Sequence, residues 1–331
     1  MIGRREFIAG LGGAALWPLA ARAQQPDRMR RIGVLMSLAS DDPEGQARNA
    51  ALLQGLRGLG WIVGRSVWME YRWAAGNSDL YRRYAEELVA LAPDILVASG
   101  ASAAIALQRT SRTVPIVFAG ATDPVGAGLA MSLARPGGNT TGFALPEYGV
   151  GGKWLELLKE VAPRVTRVAV IRDASVTAGI GGLAAIQTAA PSFRVEVSPI
   201  GTRDADEIEH GITAFARGTN ENGGVVVPNT AAAVTHRNLI IALAAQHRLP
   251  AVYGVRVFVT TGGLISYGVD TIDPWRLAAG YVDRILKGEK PADLPVQVST
   301  KYELVLNRKT AKALGLDVSQ AVLVRADEVI E

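Results

Sequence analysis

Short apolar runs alternate with amphipathic segments along the chain, and the alternation restarts near its middle. The first series predicts strands at Ile32–Met36, Val67–Trp73, Ile95–Ala98 and Val114–Phe118, with helices at Ala47–Leu59, Asp79–Leu91 and Ala103–Thr110 between them. Apolar strands separated by helices are typical of a parallel sheet with right-handed crossovers. The first half of the chain is therefore predicted to form an α/β lobe.

A second series of similar length predicts a second sheet with its own helices. Its helices are expected at Lys153–Val161, Ile180–Ala190, Ala205–Ala216, Arg237–His247 and Trp275–Leu286, and its strands at Arg167–Ile171, Arg194–Val197, Gly224–Val227, Ala251–Tyr253 and Gly263–Tyr267. An extended segment at Val296–Leu306 and a short helix at Ala311–Leu314 follow, and this last part is too short to be a domain. We therefore expect an α/β protein of two lobes joined by several crossings.

The turn at Thr122 and Asp123 lies between the two series. It follows a predicted strand, and Pro124 after it suits the first turn of a helix, so we expect a short helix at Val125–Leu133 with Thr122 or Asp123 as its cap. A second extended run, Thr140–Leu145, then leads away from the first sheet. Because open α/β sheets bind ligands at the carboxyl ends of their strands, this turn is a candidate ligand contact.

The first 23 residues have the pattern of an export signal. Arg4 and Arg5 precede an uncharged run from Phe7 to Ala21, and an A-x-A cleavage pattern ends at Ala23. The apolar run is short for a membrane span and contains a proline. We expect cleavage of residues 1–23, with export by the twin-arginine or the Sec route.

The sequence contains no cysteine. This excludes disulfides, thiol chemistry and the lipobox cysteine that would anchor a mature lipoprotein. Together with the export signal, it predicts a periplasmic protein without a lipid anchor.

The charge and motif content argue against several other classes of function. Of the formal net charge of +4, the signal contributes +2, and no long basic run is present, so we expect no nucleic-acid partner. No phosphate-binding glycine motif joins a strand to a helix after the signal. His236 and His247 lie about 16 Å apart along one helix, too far to share a metal. We expect no cofactor and no metal.

Polar residues recur between strands and helices. The pairs are Ser37 and Ser40, Ser99 and Ser102, Thr122 and Asp123, Asp173 and Ser175, and Asn229 and Thr230. Each pair is explained by helix capping alone. Together they line the carboxyl edges of both sheets with hydroxyls, amides and helix N-termini, which suits a small polar or anionic ligand.

Several motifs resemble those of one protein family. They are Arg5–Phe7, Ala20–Gln24, Glu70–Ala74, Pro115–Phe118, Thr122–Val125, Arg135–Asn139, Gly262–Gly268, Ile285–Pro295 and Asn307–Gly315. Over essentially the whole chain, the sequence is similar to the ABC transporter substrate-binding proteins, whose better-known members bind tryptophan and related amino acids. The resemblance implies the type I periplasmic binding protein fold, with two Rossmann-like lobes joined by a three-crossing hinge.

The resemblance also implies how the lobes are divided. It places the crossings near Phe143–Pro146, Tyr267–Asp270 and Val296–Thr300. The first lobe then comprises residues 28–143 plus 269–297, and the second comprises residues 144–268 plus 298–331. Ligand would bind between the lobes and hold them closed, and a permease would recognise the closed form.

Ligand contacts are implied by the same resemblance. In the first lobe they are Ser37, Ser99, Gly100, Ala101, Ser102, Thr122 and Asp123, and in the second Asn229, Thr230, Tyr253, Ser266 and Tyr267. Asp123 is the natural partner of a ligand ammonium, and a helix cap is its alternative role. Amino-acid-binding relatives tend to carry an acidic residue in the turn that holds Asn229 here. A carboxylate without an amine therefore stays an alternative ligand.

The expected function is that of a monomeric solute receptor for an ABC permease in the inner membrane, without catalysis. A ligand-sensing partner of a membrane receptor would use the same cleft. A periplasmic hydrolase would use Ser102, in a partial nucleophile elbow, with His247 as its base. Capping of a helix by Ser102 is the preferred interpretation of that motif.

Overall fold

The computed structural model describes residues 28–146, 148–219 and 222–331, so the predicted export signal lies outside the described residues. Its strands are β1 (Arg30–Met36), β2 (Val67–Trp73), β3 (Ile95–Ser99), β4 (Ile116–Thr122), β5 (Thr140–Leu145), β6 (Arg167–Arg172), β7 (Glu196–Gly201), β8 (Gly223–Val227), β9 (Ala251–Tyr253), β10 (Ile265–Val269), β11 (Gln297–Val298), β12 (Tyr302–Asn307) and β13 (Glu328–Ile330).

The helices alternate with these strands. They are α1 (Pro43–Gly58), α2 (Ser78–Ala90), α3 (Gly100–Thr110), α4 (Gly151–Val161), α5 (Thr177–Phe193), α6 (Ala205–Arg217), α7 (Ala231–Thr235), α8 (Arg237–Gln246), α9 (Val257–Thr260), α10 (Asp273–Leu286), α11 (Arg308–Ala313) and α12 (Gln320–Arg325). Single 3₁₀ turns lie at Tyr148–Val150 and Pro291–Asp293.

The strands form two sheets, and the predicted α/β fold is confirmed. One sheet has the order β11-β5-β4-β3-β1-β2 and the other the order β13-β12-β10-β9-β8-β6-β7. Neighbouring strands are parallel, except for the antiparallel pair β10 and β12. We call the first sheet with its helices the first lobe, and the second sheet with its helices the second lobe.

The chain passes between the sheets three times. It leaves the first sheet after β5, returns to it after β10, and leaves again between β11 and β12. Helix α10 packs on the first sheet beside α1, since Trp275 and Val282 share a buried cluster with Ile32 and Val34. The residue bounds given above for the lobes stay a prediction.

Each sheet is covered on both faces by helices. In β1, Val34 packs towards α1 and α10, while its neighbour Leu35 packs towards α2 and α3. In β6, Ala169 and Val170 divide in the same way between the two cores of the second lobe. Burial on both faces explains why these strands are continuous apolar runs rather than alternating ones.

The helix predicted at Val125–Leu133 is wrong. The segment forms consecutive turns in which the amide of Leu129 donates to the carbonyl of Pro124 at 2.8 Å. Gly128 has a φ of +71°, which ends any helical run, and Met131 is 73% exposed. A helix here would have a left-handed residue in its middle, whereas the turns bury Leu129 and Ala130 in the first-lobe core without forming a helix.

Several predicted strands also differ from the structure in their bounds; for example, the strand expected at Arg194–Val197 forms at Glu196–Gly201. The strand expected at Val114–Phe118 continues to Thr122 through an irregularity in its pairing with β5 at Gly120. The extended segment Val296–Leu306 divides into β11 and β12, which belong to different sheets, because the third crossing lies between them.

Gly142 allows β5 to pack closely against β4. Its φ is +153°, and a Cβ at this position would lie 2.1 Å from the carbonyl oxygen of Phe118. Neighbouring backbone cannot move away without breaking the parallel ladder between the two strands.

We expect Gly142→Ala to lower the free energy of unfolding by about 2 to 4 kcal/mol, because the new methyl group meets backbone rather than a movable side chain. Urea unfolding measures the change. Gly138→Ala is the matched control, since a Cβ at Gly138 would have no atom within 4 Å. Equal stability of the two variants would contradict this account of β5.

Candidate functional site

Carboxyl ends of strands from both sheets line one cleft between the lobes. A cavity of about 90 Å³ lies there. Its first-lobe lining includes Ser37, Arg48, Ser99, Gly100, Ala101, Ser102, Thr122, Thr271 and Trp275, and its second-lobe lining includes Asp173, Val176, Thr177, Asn229, Thr230, Ala231 and Val234. A molecule in this cavity would contact both lobes at once.

The first-lobe wall presents hydroxyls beside a helix N-terminus. The Ser37 and Ser99 hydroxyls are buried and lie 2.7 Å apart, in hydrogen-bond contact. Gly100, with a φ of +74°, turns strand β3 directly into helix α3. Because the Ser99 side chain bonds Ser37 instead of capping α3, the first amides of that helix are available to an anion.

Ser102 lies in the first turn of α3, so the predicted capping role is wrong. The N-cap position belongs to Ser99. The structure also separates Ser102 from the proposed base, because His247 follows helix α8 and its Nε2 contacts the Thr213 hydroxyl at 3.4 Å. His247 borders a groove with Arg248, away from the lining of the cleft.

Arg48 places a cation in the cavity wall. It lies on α1, with its Nη2 3.0 Å from Glu44 Oε1, and both side chains are about one-tenth exposed. The Thr271 hydroxyl donates to the same Glu44 oxygen at 2.7 Å. Glu44 and Thr271 therefore hold the Arg48 side chain in place, with the remaining guanidinium hydrogens available to a ligand.

Asp173 places an anion in the opposite wall. It follows β6, and its Oδ1 accepts from the amide and the hydroxyl of Ser175, at 2.9 and 2.6 Å. The negative charge of Asp173 also acts on Tyr81 of the first lobe. Burial, with this charge adding to it, raises the pKa of Tyr81. The cleft thus has a cation on one lobe and an anion on the other.

Asn229 and Thr230 complete the second-lobe wall as the sequence predicted for a strand–helix turn. The Thr230 hydroxyl accepts from the amide of Ala233 at 3.2 Å and caps α7. Asn229 lines the cavity next to it, with an uncharged amide that both donates and accepts.

A second, more apolar cavity of about 70 Å³ adjoins the first and shares part of its lining. The shared residues are Thr122, Leu145, Asn229 and Thr230, and the aromatic walls are Tyr148, Trp154 and Tyr302. Burial, and then the neighbouring Tyr267, raise the pKa of Tyr302. This second cavity suits an apolar or aromatic group attached to a polar one in the first.

Asp123 contacts Tyr148 and is absent from the linings of both cavities. Its Oδ2 accepts from the Tyr148 hydroxyl at 2.7 Å, and its Oδ1 accepts from the amide of Gly126 at 2.8 Å. The carboxylate therefore connects the loop after β4 to the segment after the first crossing. Its role as the partner of a ligand ammonium stays a prediction.

The structure does not bring Tyr253 and Ser266 to the cleft. The ring of Tyr253 stacks on Phe258, with ring centroids 4.7 Å apart, in the core of the second lobe. Ser266 pairs with Tyr253 in the sheet register and is equally buried. Because side chains alternate along a strand, Tyr267 lies on the other face, where it stacks on Tyr302.

Three residues line the cleft without having been predicted there from the sequence, namely Arg48, Thr271 and Trp275. Arg48 follows Glu44 by four residues on a helix, a spacing that is typical of surface ion pairs. Thr271 and Trp275 reach the cleft only because the chain returns to the first lobe after β10. Asp173 was predicted to lie between a strand and a helix, and from the sequence alone helix capping explains an aspartate at that position.

Within residues 28–146, 148–219 and 222–331, no helix has the length and apolar content needed to cross a membrane. Nor do three or more His, Cys, Asp or Glu side chains in these ranges come together as a metal site.

Known proteins share this fold and parts of this sequence. A curated tyrosine-binding protein of Clostridioides difficile is 23% identical over 293 residues, covering 88% of this chain and 84% of the relative. The crystal structure of an ABC domain from Streptococcus pneumoniae in complex with L-Trp matches with a TM-score of 0.84 and 25% identity, over 91% of this chain and all of that one. A conserved domain protein from Vibrio cholerae matches with the same TM-score and 27% identity, over the same shares of the two chains.

The sequence also matches a family directly. Residues 32–330 match the family described as ABC transporter substrate binding protein, whose members bind solutes and are not enzymes. This confirms the predicted family and, with it, a binding rather than a catalytic role. The chain belongs to the ABC transporter substrate-binding protein family.

Proposed function

We propose that this protein is the exported solute receptor of an ABC importer and that it binds an α-amino acid between its lobes. The observation that carries the proposal is the placement of Arg48 and Asp173. They lie on different lobes, carry opposite charges and line the same cavity. A zwitterion matches this arrangement, because its carboxylate and ammonium need partners of opposite sign.

The carboxylate of the ligand would lie on the first-lobe side. There it would accept hydrogen bonds from Arg48 and from the first amides of α3, which also carry the positive end of the helix dipole. The ammonium would lie towards Asp173. Hydrogen bonds to charged groups contribute about 1.5 to 3 kcal/mol each, so these contacts would supply a large part of the affinity.

Asp173 favours an amino acid over a carboxylate that lacks the amine. In the closed cleft, such a carboxylate would leave Asp173 partly desolvated without a cationic partner, which costs free energy. Amino-acid-binding relatives tend to carry an acidic residue in the turn that holds Asn229 here. In this protein, Asp173 after β6 would take the place of that residue.

The second cavity supports an aromatic or large apolar side chain on the ligand. Tyr148, Trp154 and Tyr302 form its walls. The indole N–H of Trp154 donates to the Tyr267 carbonyl at 2.7 Å, so the indole ring presents apolar surface to the ligand. The tyrosine-binding relative and the neighbour in complex with L-Trp support the same ligand class.

Transport would follow from lobe closure. A ligand that contacts both lobes binds the closed form more tightly and shifts the population towards it. An ABC permease in the inner membrane would recognise that form of a periplasmic, monomeric receptor.

A thermal-shift screen of the protein from Gln24 onward tests the ligand class. We expect L-tryptophan, L-tyrosine or L-phenylalanine at 100 times the dissociation constant to stabilise the fold by about 2.7 kcal/mol, a shift of several degrees. Indole-3-acetate lacks the ammonium and tryptamine lacks the carboxylate, so both should bind at least about tenfold more weakly than L-tryptophan. Equal binding of indole-3-acetate and L-tryptophan would contradict recognition of a zwitterion.

Asp173→Asn and Asp123→Asn form a matched pair that identifies the ammonium partner. We expect Asp173→Asn to weaken L-tryptophan binding by about 1.5 to 3 kcal/mol and to strengthen indole-3-acetate binding, because the variant has no unpaired carboxylate to desolvate. Asp123→Asn should have the smaller effect on both ligands, because Tyr148 and Gly126 already occupy its carboxylate. Isothermal titration calorimetry measures both. A larger effect of Asp123→Asn on L-tryptophan would assign the ammonium to Asp123 instead.

The export route has its own test. If the signal uses the twin-arginine route, replacing Arg4 and Arg5 by lysine should stop the appearance of the folded protein in the periplasm, because that route depends on the arginine pair. Fractionation of cells followed by immunoblotting measures the periplasmic share, and a reporter with a known Sec signal is the control. Unchanged export of the double variant would indicate the Sec route.

A further inference from the structure

A buried ion pair joins the lobes outside the ligand cavity. Asp42 is the N-cap of α1 in the first lobe, and Arg237 begins α8 in the second. Their side chains form a salt bridge, and each is only 10% exposed. Neither residue lines either cavity of the cleft.

Both ends of the pair are fixed by further hydrogen bonds. Asp42 Oδ1 accepts from the amides of Glu44 and Gly45, at 2.9 and 3.3 Å, which leaves Oδ2 for the guanidinium. Arg237 Nη1 also donates to the carbonyl of Val234 at 3.0 Å. The two charges therefore meet in a single defined geometry.

Further contacts between the lobes accompany the ion pair. Leu38, which follows β1 in the first lobe, is 1% exposed and packs into the second-lobe core with Ala233 and Val234. Gly76 of the first lobe lies against Thr235, whose hydroxyl would be 3.3 Å from a Cβ at that position. Separation of the lobes would expose this apolar surface together with both charges.

We propose that Asp42 and Arg237 form an interlobe latch that stabilises the closed conformation, in which the lobes are in contact as they are in this structure, although neither side chain lines the ligand cavity. The proposal rests on the proposed function in one respect, namely that binding is coupled to lobe closure. When the lobes part, water solvates both charges, so loss of the pair changes the closing equilibrium rather than the stability of either lobe. Fewer closed molecules lower the apparent affinity in proportion.

The latch also fixes the helix that carries a ligand contact. Asp42 caps α1, and Arg48 lies on the same helix, six residues further along. Arg237 thus acts on the ligand cavity as a positioning residue, through Asp42 and the start of α1.

Single-molecule energy transfer between the lobes tests the latch. Because the chain has no native cysteine, Arg82→Cys and Arg203→Cys allow one dye on each lobe, at side chains that are 75% and 78% exposed. Asp42→Asn keeps the helix cap, since asparagine caps as well as aspartate, and removes only the charge. Arg237→Gln removes the partner charge. Glu160→Gln, which removes an ion pair with Arg325 inside the second lobe, is the control.

We expect Asp42→Asn and Arg237→Gln each to lower the ratio of closed to open molecules at least about tenfold, or about 1.4 kcal/mol. In the double variant, the ratio of closed to open molecules should be no lower than in either single variant, because neither charge of the pair is left without its partner. The control should match wild type. The comparison is made without ligand and with L-tryptophan, so failure of L-tryptophan to bind, which would count against the proposed function, is recognised separately.

Two results would overturn the latch. One is equal distributions in wild type and the latch variants under both conditions. The other is a wild-type protein without a closed population in either condition.

Discussion

Helix N-termini at the carboxyl ends of parallel strands make the cleft between the lobes polar. Each such strand leads into a helix whose first amides lack partners within the helix. The two lobes direct several of these starts, including those of α3 and α7, towards one cleft. In α7, the Thr230 hydroxyl accepts a hydrogen bond from one of these amides. In α3, the side chain of the N-cap residue Ser99 accepts none. A polar cavity follows from this arrangement before any particular ligand is considered.

Helix α1 connects the ligand site, a crossing and the lobe contact. Asp42 at its cap bonds Arg237 of the other lobe, Glu44 in its first turn bonds Thr271 after the second crossing, and Arg48 in its second turn lines the cavity. These side chains are nearly buried, and a buried charge is costly unless it is paired. A change in the lobe contact would therefore be felt at the proposed carboxylate site through a single rigid element.

Much of the fold could be predicted from the sequence, but only part of the site. Continuous apolar runs such as β3 and β8 gave the strands directly, because they are buried on both faces. The segment after Asp123 did not become a helix, since Gly128 adopts a positive φ there. Tyr253 was expected in the cleft but is in the core, since the face of a short strand depends on register. Arg48 lines the site because the fold places α1 beside the cleft, and its local ion pair with Glu44 gives no sign of this in the sequence.

A crystal structure of the protein grown with L-tryptophan would show directly whether a zwitterion binds between Arg48 and Asp173. We expect electron density for the ligand between the lobes, with its carboxylate on Arg48 and the start of α3. Its ammonium nitrogen should lie about 2.7 to 3.2 Å from an Asp173 carboxylate oxygen. Ligand density outside the cleft, or an amine directed at Asp123 with Asp173 left in solvent, would contradict this binding mode.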